Sequence, residues 1–380
     1  MKERWEFAVA KTYVLRNLNM LNGGQVHIWI ENGVIASIEK SEEAMPELLA
    51  GEVEIVDGAG SYVSSGWIDM HVHAVKQLEP YGDDIDEIGV KQGAATIVDA
   101  GSCGAERIAE FRKTALQAKT NVLAFLNISR IGLERVDELS NLAWLDEEML
   151  LQAVDANRDF IVGLKARMSG SVVGENGLMP LLIARQFAAK TALPLMIHIG
   201  SAPPKIEEIL EQLQEGDVVT HYMNGKANNL FDSKGNPLPE LLEALERGVR
   251  LDVGHGTASF SFQAAQHAKR AGLPLHTISS DIYRGNRLNG PVYSLAHVMS
   301  KFLALGYSLE EVIRSVTVHP AEWLNRRELG RIRVGEPAHL TIFDVKEGDF
   351  SFIDSEGDVL KGNQQIEAKG VFVHGTFVKC

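Results

Sequence analysis

Apolar and polar positions follow two different rhythms along the chain. Near the start, Val26, Ile28 and Ile30 alternate with polar or exposed neighbours. Glu31-Asn32-Gly33 then supplies a turn, and Val34, Ile35 and Ile38 follow. A period of two around such a turn is the pattern of a β-hairpin. Val53, Ile55 and Val56 make another short strand before Asp57-Gly58, and His339–Phe343 and Val371–Val373 repeat the pattern towards the other end. Strand-rich ends around a long middle predict one small β-sandwich domain built from both, residues 1–60 with 326–380.

The middle, residues 61–325, is ordered differently. Eight short apolar runs occur at Trp67–His73, Ala95–Ala100, Val122–Ile128, Phe160–Leu164, Pro194–Ile199, Asp217–Thr220, Val249–Val253 and Leu275–Ser279. Segments of helical periodicity lie between most of them, among them Glu147–Asn157, Leu178–Lys190, Leu238–Arg247 and Phe260–Arg270. Eight strands alternating with helices, over close to the roughly 250 residues such a unit needs, predict an α/β fold of the (β/α)8, or TIM, barrel type. Arg130 to Asp146, after the third run, reads as a loop with a short helix over the barrel mouth.

Composition narrows the function classes. With 37 basic and 51 acidic residues the net charge is −14, and no Lys/Arg cluster offers the phosphate contacts of a general nucleic-acid binder. No stretch reaches the ~18 consecutive apolar residues of a membrane span, and the run Phe7–Ala10 is too short for a secretory signal. Two cysteines, Cys103 and Cys380, cannot build a disulfide framework and fit a reducing compartment. A soluble cytoplasmic protein without nucleic-acid or membrane partners is the expectation; a homo-oligomer remains open.

The chemistry lies at the ends of the apolar runs. His71 and His73 close the first run, and residues two apart in a strand point to one side. His198 closes the fifth run, His221 the sixth and Asp281 the eighth. In a barrel these ends converge on one face, and imidazole with carboxylate is a ligand set for Zn2+ and related ions. An isolated His-Val-His is more often a pair of satisfied polar residues than a metal site; four histidines and an aspartate at converging strand ends change those odds. Lys165 closes the fourth run. Alone it reads as a lysine reaching solvent, but beside two metals a buried amine can add CO2 and give a carbamate whose two oxygens bridge the ions.

Gly66-Trp67-Ile68-Asp69-Met70-His71-Val72-His73, Lys165, His198, His221 and Asp281 together resemble the amidohydrolase superfamily, in its binuclear branch with a carboxylated lysine. Thr317-Val318-His319-Pro320-Ala321 and the stretch from Leu329 to Leu340 resemble that family's passage from the last barrel strand back into the sandwich, so the likeness covers essentially the whole chain. Ser65 stands where a proline is usual and His339 where an aspartate is usual, both outside the ligand set. The resemblance implies a distorted (β/α)8 barrel with a β-sandwich from both termini. It implies two divalent ions, taken as Zn2+: one on His71, His73 and Asp281, the other on His198 and His221, with carboxylated Lys165 bridging. It further implies attack of metal-bound hydroxide on an ester or amide carbonyl, with Asp281 as the proton shuttle.

The substrate signal is thinner. Arg284, three residues past Asp281, could fork onto a substrate carboxylate, with Arg167 and Arg130 as rivals. His255 could bind substrate or brace its loop; Tyr222 could donate to an oxyanion or pack beside the ligands; Cys103 could line the pocket or be a buried structural thiol. The motifs from His198 to Pro204 and from Asp252 to Phe260 resemble a deacetylase-like branch once grouped with dihydroorotases. That likeness implies cleavage of acetylated α-hydroxy acids. A dihydroorotase-like cyclic-amide hydrolase is the alternative, adenine deamination ranks lower, and a metal-free scaffold is opposed by the complete ligand set.

Overall fold

The computed structural model describes residues 12–40 and 53–380. The run Phe7–Ala10 and parts of the expected 1–60 segment lie outside the described residues. The strands in chain order are β1 Thr12–Met20, β2 Gly24–Glu31, β3 Val34–Lys40, β4 Val53–Asp57, β5 Tyr62–Ser65, β6 Trp67–Val72, β7 Ala94–Ala100, β8 Asn121–Asn127, β9 Ile161–Met168, β10 Leu195–Ile199, β11 Val218–Thr220, β12 Arg250–Asp252, β13 Leu340–Ile353, β14 Val359–Val373 and β15 Thr376–Lys379.

Both chain ends contribute to one eight-stranded sheet, ordered β15-β14-β13-β5-β1-β2-β3, with β4 paired to β1. The expected hairpin is β2–β3, with Glu31 opposite Val34. The two ends meet where Leu340 of β13 pairs with Ser65 of β5. Inward positions of these strands, including Leu15, Ile28, Ile30, Val63, Leu340 and Phe372, share one apolar core.

Strands β6 to β12 form a parallel seven-stranded sheet in chain order. The expected helices between them appear as Glu147–Ala156, Met179–Thr191, Pro239–Glu246 and Phe262–Arg270. The eighth run does not become a strand. It closes the barrel through single parallel bridges, Asp252 with Thr277 and Val72 with Ile282. Side chains explain the irregularity. Gly254 N–H donates to Ser279 Oγ and Ser280 N–H to Asp69 Oδ1, so side-chain oxygens take donors that a regular ladder would pair. Among the described residues no helix is long and apolar enough to cross a membrane.

One core fills the barrel below its mouth, with Ile68, Met70, Val98, Leu123, Phe125 and Met196 packed together. A larger core lies between the sheet and the surrounding helices. The stretch 130–146 carries two short 3-10 turns, Gly132–Glu134 and Leu142–Trp144.

Candidate active site

A break in register builds the first part of the site. Ile68 and Met70 face the barrel interior, so unbroken alternation would turn His71 outward. The pairing of β6 with β7 slips between Asp69 and Val72. Such a bulge changes which positions face inward, and beyond it His71 and His73 both line the cavity at the mouth.

Asp281 meets them from the closing segment, its Oδ1 3.4 Å from His71 Nε2 and 3.1 Å from His73 Nε2. One donor atom from each of these residues lies within 4.8 Å of the others. Lys165 Nζ is 3.4 Å from His71 Nε2. The His221 ring lies 5.0 Å from that of His71 and 4.4 Å from that of His198, centroid to centroid. The structure therefore gathers all six expected ligand positions. Two of them, His221 (φ 69°) and Asp281 (φ 50°), hold left-handed backbone conformations, which cost non-glycine residues energy and are often retained at functional sites.

Close packing leaves little freedom around them. A Cβ on Gly101, whose φ is 81°, would meet Lys165 Cβ at 2.6 Å, and one on Gly256 would meet Asp281 Oδ2 at 2.3 Å. Only glycine permits these approaches.

Hydrogen bonds set the imidazole orientations. His71 Nδ1 lies 2.9 Å from Thr220 Oγ1, His73 Nδ1 2.8 Å from Ser102 Oγ, and His221 Nδ1 donates to Gly254 O at 2.6 Å. With Nδ1 engaged, Nε2 is left as a lone-pair donor, the arrangement common behind metal-binding histidines. Buried Asp252 accepts from Thr220 Oγ1 at 2.7 Å, Thr277 Oγ1 at 2.6 Å and Ser279 Oγ at 2.7 Å. It thereby orients the threonine behind His71. Asp99 fixes the turn carrying Ser102 by accepting from its N–H at 2.8 Å.

Burial dominates the electrostatics. It lowers His71 to about 4 and drives His198 and His221 well below the ordinary imidazole value, so all three imidazoles are neutral at neutral pH. It also lowers the Lys165 ammonium to about 7. Burial opposes ionisation of Asp281, but the His71, His73 and His221 imidazoles overcome it and hold the carboxyl below its usual range. His221 Nε2 is buried without a hydrogen-bond partner among the described residues. An orphaned nitrogen beside a His-His-Asp cluster fits divalent cations, because bare burial of such groups is costly.

The site opens into a cavity of about 220 Å3, with Lys165, Arg167, His198, Lys226, Thr257 and Tyr283 on its walls. The expected substrate contacts are placed differently. Arg284 is 42% exposed and turns towards Glu79 and Asp83, at 3.8 and 3.9 Å. Arg130 pairs with Glu106. His255 is buried behind the wall, stacked on Phe260 and bonded through Nε2 to Lys301 Nζ at 2.7 Å. Tyr222 is fully buried and outside the cavity lining. Cys103 is also buried, its thiol pushed up by burial, and it borders a separate cavity of about 230 Å3. Thr220, Ser102, Asp99, Lys226 and Glu138 were not singled out by the sequence pattern. Arg167 carried a signal: it follows Lys165 by two in a strand, as His73 follows His71.

Residues 62–378 match the amidohydrolase family, and the chain belongs to it. It is 41% identical to a deacetylase of Enterococcus faecalis over 95% of this chain and 97% of that one. It is 38% identical to a deacetylase of Brucella anthropi over 89% and 84%. Among solved structures, an adenine deaminase superposes with TM-score 0.91 at 40% identity, covering 97% of this chain and 99% of the other. A dihydroorotase gives 0.88 at 32%, with the same coverage. The family and its deacetylase-named members support a hydrolase with a small-molecule substrate.

Proposed function

We propose that the protein is a divalent-metal-dependent deacetylase that hydrolyses the acetyl ester of small acetylated hydroxy acids. The convergence of His71, His73, Lys165, His198 and Asp281 on one cavity, with His221 packed against His71 and His198 behind them, carries this reading, and the deacetylase relatives support it. His71, His73 and Asp281 would hold one cation, His198 and His221 a second, and Lys165, as its carbamate, would be shared. Bound there, divalent cations, taken as Zn2+, supply Lewis acidity and a water acidic enough to attack a carbonyl at neutral pH.

The chain's own residues do the rest. Asp281 uses Oδ1 towards His71 and His73, while its Oδ2 is directed at Gly256. A carboxylate at the cavity edge can accept the attacking water's proton and return it to the leaving alkoxide oxygen. The cavity of about 220 Å3 suits a small acid and excludes a macromolecule.

Metal analysis of protein prepared without chelator, followed by Zn2+ reconstitution, tests the cofactor; protein retaining no divalent metal in either state would sink this reading. Asp281→Asn is expected to lower kcat by about 10²- to 10⁴-fold while largely retaining metal, and a fully active variant would remove the assigned shuttle. A screen of O-acetyl hydroxy acids, N-acetyl amino acids, dihydroorotate and adenine against the Zn2+-loaded enzyme tests the substrate. Ring opening of dihydroorotate without ester cleavage would transfer the assignment to cyclic-amide hydrolysis.

A further inference from the structure

Strand β9 places Arg167 on the same side as Lys165, one alternation further along, and Arg167 shares the cavity wall with Lys226. The guanidinium is held loosely for so buried a group. Its Nη1 donates to Glu138 Oε2 at 3.4 Å, and its carbon lies 6.0 Å from the centre of the Tyr81 ring. A guanidinium has five N–H donors, so most of this one's capacity is unspent on described side chains.

Glu138 comes from the stretch over the barrel mouth. Its side chain is 0% exposed, and Oε1 has no hydrogen-bond partner among the described residues. A carboxylate buried in this way is costly unless a cation answers it, and Arg167 is the cation in contact. Half-buried Lys226 makes no ion pair with a carboxylate among the described residues. Burial, and then the charge of Arg167, push its ammonium down, as expected where two cations face one space. The cavity that holds the His71–Asp281 cluster thus also presents two cations, of which, among the described residues, Arg167 alone has a carboxylate, Glu138, in contact.

We propose that Arg167 and Lys226 form a subsite for the carboxylate of the substrate, a small acid acylated at the neighbouring oxygen or nitrogen, and that Glu138 is the positioning residue for Arg167. This rests on the acyl-hydrolase reading above and adds to it the part of the substrate that is recognised. An acid docked there has its acyl group directed towards the ligand cluster, and a neutral ester of the same acid forfeits the anchor.

The test compares racemic O-acetyl-lactate with its methyl ester in the Zn2+-loaded enzyme. Lys226→Met and Arg167→Met are each expected to lose about 10- to 100-fold more kcat/KM on the acid than on the ester, mainly through KM, the loss typical of a hydrogen bond to a charged group. Glu138→Gln is expected to raise KM for the acid while sparing kcat, and to add nothing in an Arg167→Met background. A purely structural Glu138 would depress both substrates alike. Lys226→Met, at a half-buried position, decides the matter if Arg167→Met does not fold. Equal losses on acid and ester, or none on the acid, overturn the subsite.

Calorimetry with lactate separates this proposal from the reading beneath it. Lactate binding that weakens about tenfold or more in both cation variants upholds the subsite even if no acetyl ester is cleaved. Equal lactate binding by wild type and variants refutes the subsite and leaves the hydrolase reading standing.

Discussion

Two buried lysines occupy the barrel, and burial lowers both ammonium groups to about 7. Their surroundings differ. Lys301, on the helix Leu295–Ala304, donates to His255 Nε2 at 2.7 Å, Pro291 O at 2.9 Å and Ile353 O at 2.7 Å. Every donor of an ammonium is used. Lys165 has a single described hydrogen-bond contact, His71 Nε2 at 3.4 Å, and it faces the cavity. Equal burial and an equal shift therefore accompany opposite tasks. Unfilled bonding capacity marks Lys165 as chemically available, whereas Lys301 ties together three separate segments.

The largest expected break in this comparison is at Lys165. Lys165→Met should lower kcat/KM by on the order of 10³-fold or more and reduce bound metal, since the proposed carbamate is shared by both cations. Near wild-type turnover and metal content would make the two lysines equivalent. Lys301→Met should act on stability instead. It strands an imidazole nitrogen and two carbonyl oxygens, each costing about 1–3 kcal/mol when buried unsatisfied. A loss of roughly 3–5 kcal/mol in urea unfolding is expected, with turnover changed less than about tenfold. A variant as stable as wild type would show that the three bonds contribute little.

The smallest effect lies in pH. Lys301 titrates near 7 in the folded chain and near 10.4 when unfolded. Between these values the unfolded chain holds the extra proton, so raising pH favours folding, by no more than about 1.4 kcal/mol per pH unit for this group. Stability measured from pH 7 to 10 should carry this rising component in wild type and lose it in Lys301→Met. An unchanged profile would mean that the three acceptors keep Lys301 protonated throughout.

The parts legible in the sequence share one property: a strand's period of two and its end locate them. His71, His73, Lys165, His198 and His221 stand at the ends of apolar runs, and the barrel brings run ends together. Nearness to Asp281 along the chain points to Arg284, and nearness fails there. Asp281 takes a left-handed conformation, and the chain enters the helix Arg284–Asn289 with Tyr283 at its cap, which carries Arg284 towards Asp83. The eighth run was legible as apolar, but its serines and threonine bond to Asp252 and Asp69 and replace a ladder. Glu138 and Lys301 were illegible because each meets its partner across the fold, with no periodic relation between them.

The pairing of Leu340 with Ser65 has a consequence for synthesis. Strand β5 leaves the ribosome long before its neighbour β13 exists, and Lys301 must wait for the carbonyl of Ile353. The barrel strands that carry His71, Lys165 and His198 can assemble first, but the nascent chain carries an open sheet edge throughout translation of the middle. An unpaired edge invites pairing with other chains. For this protein, the interval between the emergence of β5 and that of β13 is when misassembly is most favoured, and slower elongation through the middle would lengthen it.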